Sequence, residues 1–123
     1  MLLFYKNINL SDTKLKIISM KAVKVQYTVR PEYVEQNKRN IQAVMKALQT
    51  NPVNGMYYSA YQLSDGNTFM HINVAIDGEA MSKLNDVAEF MHFRMQLKSS
   101  EPLSPPKAED ISFVGSGWEM QTN

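Results

Sequence analysis

Two groups of side chains in this 123-residue chain have types and spacing that could do chemistry. The sharper one centres on Arg94. A guanidinium keeps its charge at any ordinary pH, so burying one without a partner is costly. Helical spacing puts Arg94 near the middle of an arc with Val87, Phe90, Met91 and Leu97, the arc that should face a sheet. There it needs a carboxylate, carbonyl oxygens or an anionic ligand. Asn37 faces the same layer from an earlier helix, and Tyr57, Ser59 and Tyr61 are assigned to it from a strand. Such a set could hold a carboxylate, phenolate or enolate in an apolar cleft and polarise a substrate oxygen. The plainer alternative is that Arg94 snorkels out of its helix or pairs with an internal acid.

The second group is His71, Asn73 and Tyr58. Placed on the far face of the sheet, these could supply a general base and its orienting groups, or only a polar interface network. A one-residue slip in strand pairing would swing His71 to the helix side and make it the leading catalytic residue. The catalytic candidates are therefore His71, Arg94 and Asn37, and the ligand-contacting candidates Tyr57, Ser59, Tyr61, Tyr58 and Asn73. His92 projects away from the sheet. Trp118 and the nine methionines read as packing or gap-filling.

Many chemistries lack their residues. The chain has no cysteine, which removes disulfides, thiol nucleophiles and zinc–thiolate sites and suits a reducing cytoplasm. Two histidines are too few for a His-rich metal site within one chain. There is no phosphate-binding glycine loop, no H-E-x-x-H and no G-x-S-x-G elbow. A net charge of +1 leaves no electrostatic footprint for nucleic acid or a membrane surface. The expectation is no metal, no cofactor, no nucleic acid and no membrane partner.

The elements that must position these residues follow from periodicity. Residues 22–29 alternate, with Val23, Val25, Tyr27 and Val29 opposed to Lys24, Gln26 and Thr28. Pro31 and Glu32 end that strand and open a helix whose stripe holds Val34, Asn37, Ile41, Val44, Met45 and Leu48. Residues 56–76 form two strands around Ser64-Asp65-Gly66-Asn67. Asp65-Gly66 predicts a two-residue hairpin with positive φ at both positions. That register pairs Tyr61 with Met70, Ser59 with Ile72 and Tyr57 with Val74 on the more apolar face, which is assigned to the helices. Ala60–His71 and Tyr58–Asn73 take the other face.

A second helical stretch, 79–98, divides into a short helix through Leu84 and a longer one from Val87 to Lys98 capped by Asn85-Asp86. Residues 99–107 carry three prolines and read as a surface loop, and Ile111-Ser112-Phe113-Val114 as the last strand. Residues 1–19 read as a loosely held extension, with Leu15-Lys16-Ile17-Ile18 as an alternative extra strand. Residues 20–117 form the single domain and 118–123 a tail.

The βαββαβ order is that of an α+β, ferredoxin-like fold: a four-stranded antiparallel sheet with helices on one face. Two helices cover one side only. The other side would be left wet with Phe69, Ala60, Met56 and Tyr58 on it, so a second copy of the sheet is the expected cover.

The stretch from about Val23 to Gly115 resembles uncharacterised bacterial proteins of the dimeric α/β-barrel superfamily, which includes the antibiotic-biosynthesis monooxygenase-like domains. The residues that carry the resemblance are Tyr27-Thr28-Val29-Arg30-Pro31-Glu32 with the following Glu35-Gln36-Asn37, then Ser64 to His71, Glu89-Phe90-Met91-His92-Phe93, and Val114-Gly115. The resemblance implies a homodimer and a ligand cavity between each sheet and its own helices. Active members include cofactor-independent oxygenases and haem degraders. Their late strand-3 tryptophan would fall near Val74, the haem degraders' strand-1 asparagine near Val25 and helical histidine near Arg94. A quinol-oxygenase histidine would fall near Glu89, so no known catalytic set transfers intact. Two functional expectations stand. One is a small cytoplasmic homodimeric, monooxygenase-like enzyme acting on an apolar, oxygen-bearing small molecule. The other is a non-catalytic metabolite-binding or stress-associated dimeric module.

Overall fold

The structure is a computed structural model that describes residues 20–118; the expected extension at 1–19 and all but the first residue of the tail lie outside the described residues. Strand β1 is Lys21–Thr28, and its alternation of Val23, Val25 and Tyr27 with Lys24, Gln26 and Thr28 separates two faces. Pro31 then sits at the start of a 3-10 turn, Pro31–Tyr33, which leads into α1, Val34–Thr50. Helix α1 buries Asn37, Ile41 and Val44, three positions of the expected stripe, together with Asn40, which that stripe does not include.

Gly55 lets the chain leave the loop after α1 and enter the sheet. Its φ is +76°, a conformation that side chains rarely adopt. A Cβ there would lie 2.5 Å from Ile76 Cγ1. The Gly55 carbonyl also accepts the Ile76 backbone N–H at 2.8 Å, which ties the loop to the end of the neighbouring strand. Gly55→Ala is therefore expected to cost about 1–2 kcal/mol and lower the melting temperature by roughly 5–10 °C, read by thermal unfolding. Gly66→Ala offers the contrast: φ is +83° but nothing lies within 4 Å, so only the backbone cost applies.

Strands β2, Met56–Gln62, and β3, Thr68–Ala75, form the hairpin. The register is the expected one: Tyr61 pairs with Met70, Ser59 with Ile72, Tyr58 with Asn73 and Tyr57 with Val74. The turn is not. Only Gly66 has positive φ, and the last ladder bond joins Leu63 N–H to the Thr68 carbonyl. The turn thus spans four residues. The Asp65 carboxylate holds it by accepting from the Asn67 and Thr68 N–H groups and from the Thr68 hydroxyl. Both turns are centred on the same point, so the pairing survives the change.

Helix α2, Gly78–Ser82, is capped by the Asp77 carboxylate, which accepts the Ala80 N–H at 2.8 Å. Lys83–Asp86 is a 3-10 turn, and α3 runs Ala88–Ser99. Asn85 and Asp86 belong to that turn and do not cap α3. Val87 occupies the cap position, with no side-chain cap bond.

The last strand is β4, Ser104–Ile111, which corrects the expected loop at 99–107 and strand at 111–114. Among the described residues the sheet order is β2-β3-β1-β4 with every pairing antiparallel, so β4 is an edge there, where proline is tolerated. Pro105 and Pro106 sit where the β1–β4 register shifts, a bulge opposite Tyr27.

Helices α1 and α3 pack on one face of the sheet, around a core of Tyr27, Val29, Ile41, Val44, Phe69, Leu84, Phe93 and Leu97. This reverses the face assignment made from the strands. His71, Asn73 and Tyr58 face the helices, with Phe69, Met56 and Ala60, and no register slip is involved. Tyr57, Ser59 and Tyr61 face the other way with Met70, Ile72 and Val74. Counting apolar residues favours the wrong face because the polar groups on the right one satisfy each other, which removes most of their burial cost.

Candidate functional site

An open-mouthed cavity of about 670 Å³ lies between the sheet and α3. Strands β1 and β3 supply its floor, and α3 with the turn before it supplies one wall. The prolines of β4 and Pro102 supply the other. The walls are mostly apolar, with Val23, Val25, Phe90, Phe93 and Leu97 among them. The polar groups converge on the floor, the usual arrangement of a small-molecule site.

His71 is the centre of that floor, 4% exposed. Nε2 lies 2.8 Å from the Tyr27 hydroxyl and Nδ1 2.5 Å from the Tyr58 hydroxyl. The Asn37 side-chain N–H donates to the Tyr27 oxygen at 2.9 Å. Register explains the convergence. His71 pairs with Val25 on one side and Ala60 on the other, so Tyr27 and Tyr58 sit at the two diagonals of one face. The imidazole also lies between aromatic rings, with its centroid 5.2 Å from that of Phe93.

Hydrogen-bond accounting assigns the protons. Tyr27 is 2% exposed and already accepts from Asn37, so its own O–H needs an acceptor, and Nε2 is the one in reach. The imidazole proton then lies on Nδ1 and is donated to Tyr58. The Tyr58 O–H is left over, on a residue that lines the cavity. Burial keeps this chain neutral. It pushes the His71 pKa down to about 4 and both phenols well above their ordinary range, with neighbouring phenols, Tyr33 beside Tyr27 and Tyr27 beside Tyr58, adding to the rise. The site therefore presents a fixed hydrogen-bond donor to a ligand oxygen. It holds no imidazole lone pair free to take a proton.

Among the described residues two buried side-chain acceptors have no partner: Oδ1 of Asn73, a residue of the cavity lining, and Asn37 Oδ1 behind Tyr27. Arg94 also lines the cavity but sits at its exposed rim, with the guanidinium carbon 5.7 Å from the Phe90 ring centre. The inner stripe of α3 is Phe90, Phe93 and Leu97, so Arg94 flanks it rather than occupying its centre. Of the expected site residues, His71, Asn37, Tyr58 and Asn73 come together, with Arg94 at the mouth. Ser59 and Tyr61 instead edge a separate groove of about 420 Å³ beside α1, and Tyr57 lines a smaller one of about 250 Å³.

Sequence reasoning missed Tyr27, which reads as one apolar position of an alternating strand. It also missed Asn40, which bridges the helices by donating to the Gln96 side-chain oxygen at 2.9 Å. Among the described residues no helix is long and apolar enough to cross a membrane, and no cluster of three His, Asp or Glu could hold a metal.

Solved structures share this arrangement of elements. A variant of SnoaB, a cofactor-independent oxygenase from Streptomyces nogalater, superposes with a TM-score of 0.61 at 14% identity, over 82% of this chain and 99% of its own. This is the antibiotic-biosynthesis monooxygenase-like fold. An antibiotic biosynthesis monooxygenase shares it at a TM-score of 0.66 and 12% identity, over 77% of this chain and 99% of the other. Rv0793 from Mycobacterium tuberculosis shares it at 0.67 and 16%, over 81% of this chain and 100% of the other. At such identity the monooxygenase-like likeness is one of fold. No family model and no curated protein matches the sequence.

Proposed function

We propose that the cavity binds an apolar small molecule through an enol or phenol oxygen, and that the protein is a cofactor-independent, monooxygenase-like enzyme acting on it. The observation that carries this is the Asn37–Tyr27–His71–Tyr58 chain of hydrogen bonds beside the cavity; with the proton on Nδ1, as assigned above, it ends in an unspent Tyr58 O–H. A donor whose direction is set by three buried neighbours stabilises negative charge on an oxygen without reorganising. The enolate or phenolate so held is electron-rich enough to react with dioxygen. A methylene carbon of the substrate is oxidised to carbonyl, one oxygen atom stays on carbon, and the other leaves as water with the two methylene hydrogens.

The expected result is dioxygen uptake coupled to product absorbance with anthrones, whose enolates form by loss of a proton to water at the open mouth of the cavity and whose methylene is the carbon oxidised. Turnover should fall roughly a hundredfold or more in Tyr58→Phe, which keeps the ring and removes the donor. Turnover by the wild type unchanged in Tyr58→Phe would remove the role given to this hydroxyl. The lack of a free base on the floor favours a second reading, a non-catalytic binding module. Saturable binding of the same compounds without oxygen uptake would select it.

The reading includes a homodimer. Tyr61 is 51% exposed, and Met70, Ile72 and Val74 are only half-buried on the face away from the helices. A second sheet laid over that face would cover them. Light scattering at micromolar concentration tests it, and a stable monomer would count against it.

A further inference from the structure

The cavity has two chemically different ends. Its lining includes two charged side chains, Arg94 and Lys98, and no carboxylate. They stand four residues apart on α3, one turn from each other on the same side of the helix. Neither has an ion-pair partner among the described residues. The guanidinium rests over the Phe90 ring, which steadies it at the mouth while leaving its N–H fork open. Such a fork matches the geometry of a carboxylate, and the neighbouring ammonium adds a second charge of the same sign.

At the other end Tyr58 and Asn73 are a directly opposed pair in the β2–β3 ladder, so their side chains leave the same face side by side. Tyr58 has an O–H with no acceptor. Asn73 is 7% exposed, and its Oδ1 is buried without a donor. One hydroxyl group can satisfy both, accepting from Tyr58 and donating to Asn73, whereas a carbonyl satisfies only the first. Between the two ends the walls are the rings of Phe90 and Phe93 on one side and Pro105 and Pro106 on the other.

We propose that the ligand is a flat hydroxy acid whose carboxylate sits at the mouth against Arg94 and Lys98 and whose hydroxyl sits on the floor between Tyr58 and Asn73. The inference rests on the reading of this cavity as the ligand site and names the ligand's class. It also gives Arg94 an anionic partner, supplied from outside the chain.

The test is fluorescence titration with 6-hydroxy-2-naphthoate, its neutral carboxamide, 2-naphthoate and 2-naphthol. The hydroxy acid should bind about tenfold or more tightly than the carboxamide. The exposed double variant Arg94→Gln, Lys98→Gln should erase that preference and leave the carboxamide's affinity unchanged. Tyr58→Phe and Asn73→Leu should weaken both hydroxyl compounds that carry a head group, with 2-naphthoate unaffected. If the carboxamide and 2-naphthol bind but the acid is no tighter, or the double variant weakens acid and amide alike, the hydroxy-acid proposal is overturned while the cavity reading stands. If none of the four binds, both fall.

Discussion

Phe93→Ala is expected to remove about 3–5 kcal/mol of folding stability, a large part of what a domain of this size possesses. Phe93 is buried, and its ring centre lies 5.9 Å from that of Phe90, 6.3 Å from Tyr27 and 5.2 Å from His71. It belongs at once to the core and to the cavity wall. Truncation forfeits those ring contacts, and the space left merges with an existing cavity of about 670 Å³ instead of collapsing. Truncation also strips an apolar ring from beside the His71 and Tyr27 hydrogen bonds and so wets their surroundings. The check is urea unfolding, with a lowered midpoint and an unchanged slope. Met91→Ala, on the same helix but 53% exposed, should cost less than about 0.5 kcal/mol. Equal losses in the two variants would mean that α3 is not anchored where the structure places it.

Acid should weaken the fold over a defined window. Burial holds the His71 pKa at about 4 in the folded protein, against 6.5 for the unfolded chain. Between these values the unfolded state binds a proton that the folded state does not. Stability therefore falls as pH is lowered through that interval and takes no further loss from this group below about 4. The size of the effect is about 3 kcal/mol, from the gap between the two pKa values. Urea midpoints at pH 7, 5.5 and 4.5 should trace the decline. His71→Gln, which has no titrating ring, should flatten it, and His92→Gln on the exposed side of α3 should not. A decline that persists in His71→Gln would place the acid sensitivity elsewhere.

Much of the fold was legible because local signals agreed with one another. Alternation at 22–29, the helical stripe from Val34 to Leu48 and the turn residues at 64–67 each have one natural interpretation. The hairpin pairing came out correctly even though the turn type differs, since both turns share a centre. The face of the sheet was not legible. Its choice depends on β1 pairing with β3, which brings Tyr27 to His71, and no local pattern reveals a bond across 44 positions. Once that bond exists, Tyr27 and His71 count as satisfied rather than polar, and the balance between faces inverts.

The position of Arg94 failed for a smaller reason. A stripe drawn through Phe90, Met91 and Leu97 centres on it, whereas one through Phe90, Phe93 and Leu97 leaves it at the margin, and a short helix permits either rotation. Strand β4 was hidden by Pro105 and Pro106, which argue against a strand everywhere except at an edge.

Those two prolines also govern what the sheet can join. Of two successive residues in an extended chain, one turns its backbone nitrogen inward and the other outward, and here neither carries a hydrogen. The outer rim of β4 thus lacks a donor where an incoming chain would dock, and Lys107, Glu109 and Asp110 follow immediately with charge. Ribbon-wise growth from this side, the route by which bare sheet margins polymerise, is blocked. Association is left to the flat of the sheet or to the β2 border, so the same pair of rings that walls the ligand space also restricts how copies of the chain can meet.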